Sequence, residues 1–277
     1  LLITFVMAQG GGYALDFDGV DDYVSIGGSD ISKPCTVEAW TRKTSNSGHG
    51  TLLGGGSYRV RLDQWSTSDK VGFTKTGTYD ASFNKSTTLN EWVHVAIVFT
   101  SDSSTLYING AYHSKNNQTN FKIPTDLIGT GGSSTITATI DELRIWSVAR
   151  TAAQIAENIH VELDGDETGL EAYFKMSNGS GTTITDHSEN SNTGTMVNMA
   201  DNDWITSNAP IGDLTSGYTT DVEALWEGSG TSASDASDGL TMVVGTALTD
   251  ANFAVFGNNN TAGTSTSDLP SGVEVRS

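Results

Sequence analysis

Residues 90–112 read NEWVHVAIVFTSDSSTLYINGAY, and this stretch decides the fold. Two runs rich in Val, Ile and aromatic residues, WVHVAIVF and TLYI, flank the polar cluster TSDSS, the pattern of neighbouring strands joined by a turn. Asn109-Gly110 follows the second run. A two-residue type I′ turn needs positive φ at both central positions, which Asn and Gly tolerate best, so a hairpin is predicted there. Similar runs recur on both sides: YALDF from Tyr13, YVSI from Tyr23, CTVEAW from Cys35, TLLGG from Thr51, YRVRLD from Tyr58, VGFTK from Val71 and IDELRIW from Ile140. Apolar residues at period two, punctuated by Gly, Asn, Asp and Ser, predict an all-β, two-sheet antiparallel sandwich. One segment departs from the pattern. SVARTAAQIAENI places Thr151 as an N-cap before an alanine-rich run with Ile155 and Ile159 four apart, which predicts one short helix near 150–159.

The chain has 277 residues and a formal net charge of −19, from 14 Lys+Arg against 33 Asp+Glu. A chain this acidic lacks the basic face that nucleic acids and anionic membrane surfaces require, so neither is expected as a partner. Divalent cations remain compatible with it. Cys35 is the single cysteine, which excludes an intrachain disulfide; its place in an apolar alternation predicts a buried core residue.

Residues 1–12 begin with LLITFVMAQG, an apolar run too short to span a bilayer. It reads as the tail of a secretory signal peptide with Met7-Ala8 before the cleavage point, or alternatively as an N-terminal edge strand. The signal reading places the mature protein outside the cell or on its surface, with no membrane insertion. Residues 13–210 hold the sandwich pattern. After Pro210 the composition shifts to Ser/Thr/Gly/Asn/Asp tracts around VEALW, LTMVVG, NFAVFG and VEVRS, so 211–277 is expected to start a second, smaller β-rich domain that continues further.

The ordered set YALDFDGVDDYVSI, TVEAWTR, NEWVHVAIVFTSDSSTLYINGAY, IDELRIWSVARTAAQIAENI and GLEAYFKMSNGSGTTITDHSENSNTGTMVN resembles laminin-G-like modules of the concanavalin A-like lectin/glucanase superfamily. The resemblance covers about residues 13–210 and implies a jelly roll of two curved sheets that serves as a binding module.

Within this superfamily, glucan-cleaving enzymes carry E-x-D-x-x-E on a strand facing the substrate groove. Glu162, Asp164 and Glu167 reproduce that spacing in VELDGDETGLEAYF. Two carboxylates can divide acid and base roles in glycoside hydrolysis, but only where a strand projects them together. Here Gly165 and the DGDETG composition are turn chemistry, leading into what reads as the last strand, GLEAYFKM. The match is therefore expected to be accidental, with no catalytic residues.

DFDGVDD places Asp16, Asp18, Asp21 and Asp22 in one turn. In related lectin-like sandwiches a structural calcium sits where the first and a late strand meet. The resemblance implies Asp18 and Asp141 as ligands, with Asp22 and the Gly19 carbonyl as additions, since calcium takes hard oxygen donors. The alternative is that these acids cap turns by bonding backbone amides and need no ion.

Sugar sites combine flat rings with polar side chains on the hydroxyls. Tyr58, Arg61, Trp65 and Tyr79 lie in or beside the middle strands and form the expected ligand set, with Arg59 nearby; Trp65, in the DQWSTSD loop, is the Trp expected at the surface. Trp40, Trp92 and Trp146 read as core, and His94 as the polar-face member of a strand. His49, His94, His113, His160 and His187 show no metal spacing, and G-x-S-x-G, Walker and C-x-x-C motifs are absent from the sequence.

Three functions compete at this level. The first is a non-catalytic module that binds glycan or a surface protein in adhesion. The second is a structural subunit of an extracellular fibre, self-assembling with like subunits. The weakest is a glycoside hydrolase.

Overall fold

The computed structural model describes residues 12–46, 49–65, 69–118 and 120–211, together with three short strands nearer the C-terminus. The chain divides into two units, one of them Gln9–Ile211. This larger unit begins with β1 (Tyr13–Asp18), β2 (Tyr23–Ser25), β3 (Ile31–Ser32), β4 (Cys35–Lys43), β5 (Thr51–Gly55) and β6 (Tyr58–Arg61). It continues through β7 (Lys70–Lys75), β8 (Tyr79–Ser86), β9 (Val93–Phe99), β10 (Ser104–Ile108), β11 (Ala111–Asn116), β12 (Lys122–Ile123) and β13 (Leu127–Ile128). It ends with β14 (Thr137–Trp146), α1 (Ala152–Asn158), β15 (Leu170–Phe174), β16 (Thr183–Ile184), β17 (Gly194–Val197) and β18 (Trp204–Thr206).

The strands form two antiparallel sheets. One runs β11-β10-β9-β4-β14-β1-β18, with β15 also on β14; the other runs β16-β17-β2-β13-β5-β6-β7-β8. A two-stranded pair, β12-β3, stands apart from both. The sheets enclose one core in which Phe73 packs against Phe99 and Phe121 at centroid distances of 5.1 and 5.0 Å. Such aromatic burial is the largest favourable contribution a sandwich core can make per residue. Cys35 belongs to this core, and burial pushes its thiol up to about 12, so it stays protonated and unreactive.

The predicted hairpin joins β10 and β11, with φ of 50° at Asn109 and 77° at Gly110. A second constraint acts on Gly110: a Cβ there would lie 3.2 Å from Ile159 Cδ1 and 3.3 Å from Ala156 Cα, because α1 crosses the turn. The helix starts where expected. Thr151 accepts from the Gln154 amide at 3.2 Å and the Gln154 side chain accepts from the Thr151 amide at 2.9 Å, a complete capping box worth about 1 kcal/mol. Ile155 and Ile159 pack on Trp40, Ala96 and Val98, on the face of the first sheet turned away from the core.

That covering changes the reading of the first sheet. Its central strands β4, β9 and β14 are buried on both faces. His94, expected at a polar surface, is 2% exposed and packs edge-on against Trp40 at 5.5 Å. GLEAYFKM is not the last strand either, since β16, β17 and β18 follow it. Among the described residues no helix is long and apolar enough to cross a membrane.

The run at residues 1–10 lies outside the described residues, as do VEALW and VEVRS. In the other unit Leu240–Met242, Phe253–Phe256 and Ala262–Gly263 form a three-stranded antiparallel sheet.

Candidate functional site

Four groups of polar residues can be compared. In the first, Glu162, Asp164 and Glu167 sit in the loop between α1 and β15. Glu167 accepts from the amides of Asp164 and Gly165, both at 2.9 Å, and Glu162 pairs with Lys175 at 3.1 Å. Gly165 has φ of 101°, and a Cβ there would collide with the His187 carbonyl. The carboxylates therefore stabilise a turn and its surroundings, and no strand carries them into a groove.

The second group is the turn after β1. Carboxylate oxygens of Asp18, Asp21 and Asp22 lie within 4.8 Å of one another. Asp22 accepts from the Asp18 amide at 2.9 Å, and Asp18 accepts from the Val20 amide at 2.7 Å. Burial pushes the Asp22 carboxyl up to about 6, and the charges of Asp18, Asp203 and Asp21 add to this against the Asp18 amide bond. Three hard oxygen donors on one turn fit a divalent cation. The predicted fourth partner does not belong to it. Asp18 pairs with Thr137 while Asp141 follows Ile140, the partner of Leu15, so four residues of strand, about 13 Å, separate them. Asp141 instead accepts from the Ser207 hydroxyl and, at 2.8 Å, from the Glu142 amide. The Gly19 carbonyl is engaged by the Thr135 hydroxyl at 2.6 Å.

Asp141 lies next to the third group, a buried ionic cluster on β4, β9, β14 and β15. A register shift between Asp141 and Arg144, with Glu142 at φ 50°, turns Glu142 toward Arg144 and Tyr173. Arg144 pairs with Glu142, and Tyr173 donates to the same Glu142 oxygen at 2.6 Å. Trp146 Nε1 donates to Glu38 at 3.0 Å, and Arg144 also donates to the Asn158 carbonyl at 2.8 Å. Burial alone would push the Arg144 guanidinium down, but Glu142 and Glu38 more than offset it. His94 is held well below its usual range by burial and by Arg144, and so is neutral. Every member is 3% exposed or less, so the cluster holds the fold and offers nothing to a ligand.

The fourth group opens to solvent through Asp80 and Trp65, while Arg61 and Thr74 are buried. On the outer face of the second sheet, β6, β7 and β8 present Arg61, Thr74 and Asp80 around a groove of about 400 Å³ that Trp65, Lys75 and Tyr79 also line. Arg61 is fixed from three sides: Nε donates to Thr74 Oγ1 at 3.1 Å, and Nη1 to the His49 carbonyl at 2.8 Å and Thr51 Oγ1 at 3.1 Å. Thr74 donates to Asp80 at 2.7 Å and lies 3.0 Å from Gln64 Oε1; its single proton belongs on the shorter, charge-assisted bond. Gln64 in turn bonds the Phe73 and Ala81 carbonyls and accepts from the Trp65 amide at 2.8 Å. The Trp65 ring stacks on His49, yet the residue is 62% exposed.

Three of the four predicted ligand residues thus meet in one groove. Tyr58 does not. It alternates with Val60 on the core side of β6 and packs edge-on against Phe121 at 5.3 Å. Tyr79 reaches the rim, but its hydroxyl donates to the Asn120 carbonyl at 2.9 Å and burial raises its pKa to about 12. The sequence reading missed Gln64, Thr74 and Asp80. The alternation of Arg59 and Arg61 with Val60 is the signal that marks this polar face.

A laminin G family model, described as concanavalin A-like lectin/glucanases superfamily, matches residues 18–156. No curated protein sequence matches the chain. Among solved structures, a Bacteroides ovatus protein for which carbohydrate binding is proposed aligns with a TM-score of 0.59 at 22% identity, covering 73% of this chain and 62% of its own. This chain therefore spans less than two thirds of that protein. Domain 4 of the extracellular GH43 arabinanase AbnA of Geobacillus stearothermophilus, solved with arabinotriose, aligns at 21% identity and a TM-score of 0.40, covering 48% of this chain and 68% of that one. A heptameric SAP-like pentraxin of Limulus polyphemus aligns at 14% identity and 0.39, covering 53% and 81%.

Proposed function

Because this chain belongs to the concanavalin A-like lectin/glucanase superfamily, we propose that residues 13–210 act as a non-catalytic glycan-binding module of a secreted or cell-surface protein, in adhesion or glycan anchoring. The observation that carries this reading is Trp65: a largely exposed indole seated on His49 beside the fixed polar side chains of Arg61, Thr74 and Asp80. A flat ring beside oriented donors and acceptors is what the apolar face and the hydroxyls of a sugar require. Because the polar groups are already bonded to one another, little ordering cost remains when a ligand arrives. The superfamily also contains glucanases, but the only E-x-D-x-x-E spacing here is engaged in its own turn, which favours binding over hydrolysis.

In the same reading a calcium ion is held by Asp18, Asp21 and Asp22 without Asp141. The test is a glycan array probed with wild-type chain and Trp65→Ala. Binding to one glycan class that the variant loses would support the groove; a silent array, or equal binding by both chains, would overturn it.

A further inference from the structure

We propose that a second cavity, remote in sequence from the Trp65 groove, binds a neutral, hydroxyl-rich ring such as an uncharged disaccharide. It has a volume of about 430 Å³ and opens between the loop after β2 and the outer edge of β15. That volume lies within the range of roughly 300–1,000 Å³ usual for small-molecule sites.

The rim is built in advance. Beyond β15 the strand edge is closed by side chains: Ser188, Asn190 and Asn192 all donate to the Glu171 carbonyl, at 3.3, 3.1 and 3.3 Å. Asn192 is further tied to Asp186 through its backbone amide at 2.7 Å and its side chain at 3.1 Å. These bonds use both amide protons of Asn192 and one of the two on Asn190, so Asn192 presents its oxygen to a ligand and Asn190 its oxygen and one N–H. On the opposite wall the Gly28 amide bonds the Thr125 carbonyl at 2.9 Å, and Thr125 Oγ1 donates to the Ser29 carbonyl, also at 2.9 Å. A Cβ at Gly28 would collide with the Thr125 hydroxyl, so the backbone of this wall approaches as closely as it can. The apolar floor is offered by Ile26 and Ile31, which pack on the core to which the buried Ala172 and Phe174 belong.

Lining chemistry selects the ligand. Acceptor oxygens of Asn190 and Asn192 suit ligand hydroxyls, the Ser29 hydroxyl can return a bond, and the apolar floor suits C–H faces of a ring. No Lys or Arg lines the cavity. An anionic ligand would find no cation to neutralise it there, whereas the Trp65 groove carries Arg61.

The proposal stands independently of the groove, and the experiment separates the two. Amide shifts of the full chain are followed on adding cellobiose, maltose, lactose or xylobiose at millimolar concentration, with sialyllactose as the anionic control. At least one neutral sugar is expected to shift Gly27, Gly28 and Asn190–Asn192, equally in wild type and Trp65→Ala. Ser29→Trp fills the mouth from an exposed position and abolishes those shifts; Asn190→Ala, which deletes one rim acceptor, weakens them at least threefold. Sialyllactose binds there at least tenfold more weakly. If no neutral sugar moves these amides, if the shifts survive in a folded Ser29→Trp chain, or if sialyllactose binds as well, the proposal is overturned. Loss of the shifts in Trp65→Ala would assign the binding to the groove alone.

Discussion

The Trp65 indole lies on the His49 imidazole with ring centroids 4.1 Å apart and planes 28° from parallel. His49 thus limits where an otherwise solvent-facing indole can point. Trp65→Ala is expected to leave melting within about 0.5 kcal/mol of wild type, as an exposed residue should, while costing about 2 kcal/mol of glycan affinity, roughly thirtyfold. His49→Ala retains the indole and should lose a smaller, severalfold share, with a drop in Trp65 fluorescence anisotropy. Equal affinity for wild type and both variants would exclude this ring pair from binding.

Asp141 makes stability depend on pH. Burial is the largest cause lifting its carboxyl to about 8, against the Ser207 hydrogen bond, with Glu142 adding to the rise. Unfolded, the group releases its proton near 4, so between about 4 and 8 the folded chain holds the extra proton and stability falls as pH rises. Asp141→Asn removes the charge and should flatten this fall, melting above wild type at pH 9 and close to it at pH 4. Parallel melting curves for the two chains across this range would contradict the assignment.

Calcium should act through Asp22. The ion competes with the proton on a carboxyl that titrates near 6, so the melting shift between excess calcium and chelator should grow from pH 5 to pH 7.5. At a hundredfold excess over the dissociation constant the gain is about 2.7 kcal/mol. Asp22→Asn should abolish the shift and Asp141→Asn should leave it intact. The reverse pattern would return the ion to the late strand.

Breaking the buried ion pair should be severe. Arg144→Met leaves Glu142 and Glu38 without their shared cation, where both partners of the Arg144–Glu142 pair are at most 3% exposed, and is expected to cost about 3–5 kcal/mol by urea denaturation. A cost below 1 kcal/mol would mean that the cluster relaxes or admits water.

For the E-x-D-x-x-E loop, Glu167→Gln should cost about 0.5–1.5 kcal/mol, since it weakens two bonds to amides, and Glu162→Gln should cost less than about 1 kcal/mol. Neither should alter glycan affinity. Loss of a measurable hydrolytic rate in either variant, with the fold intact, would reinstate a catalytic role.

Local chemistry was what the sequence displayed most clearly. The Asn109-Gly110 turn, the Thr151 cap and the buried Cys35 each rest on neighbours within a few positions, and all three are found. Trp65 was legible because the polar loop after YRVRLD supplies no apolar neighbours in sequence to cover an indole. What failed depended on register. Asp18 and Asp141 both read as acids at strand ends in the sequence, but β14 begins at Thr137, the partner of Asp18, so Asp141 lies within the strand and four residues away. Tyr58 fell on the core side for the same reason, since a one-residue change of phase exchanges the faces of a strand. His94 failed otherwise: α1 covers the polar face on which it was expected, and coverage from 60 residues away leaves no mark on the strand itself.

The pairing of β1 with β18 places Tyr13 opposite Thr206, so the chain enters and leaves the sandwich side by side. Tension from the C-terminal side would first have to free Ala209 and Ile211 from Trp40, Ile155 and Ile159, and would then peel the ladder open one hydrogen-bonded pair at a time. The same adjacency suits insertion into a surface loop of another domain, whose own ends need move little to receive it.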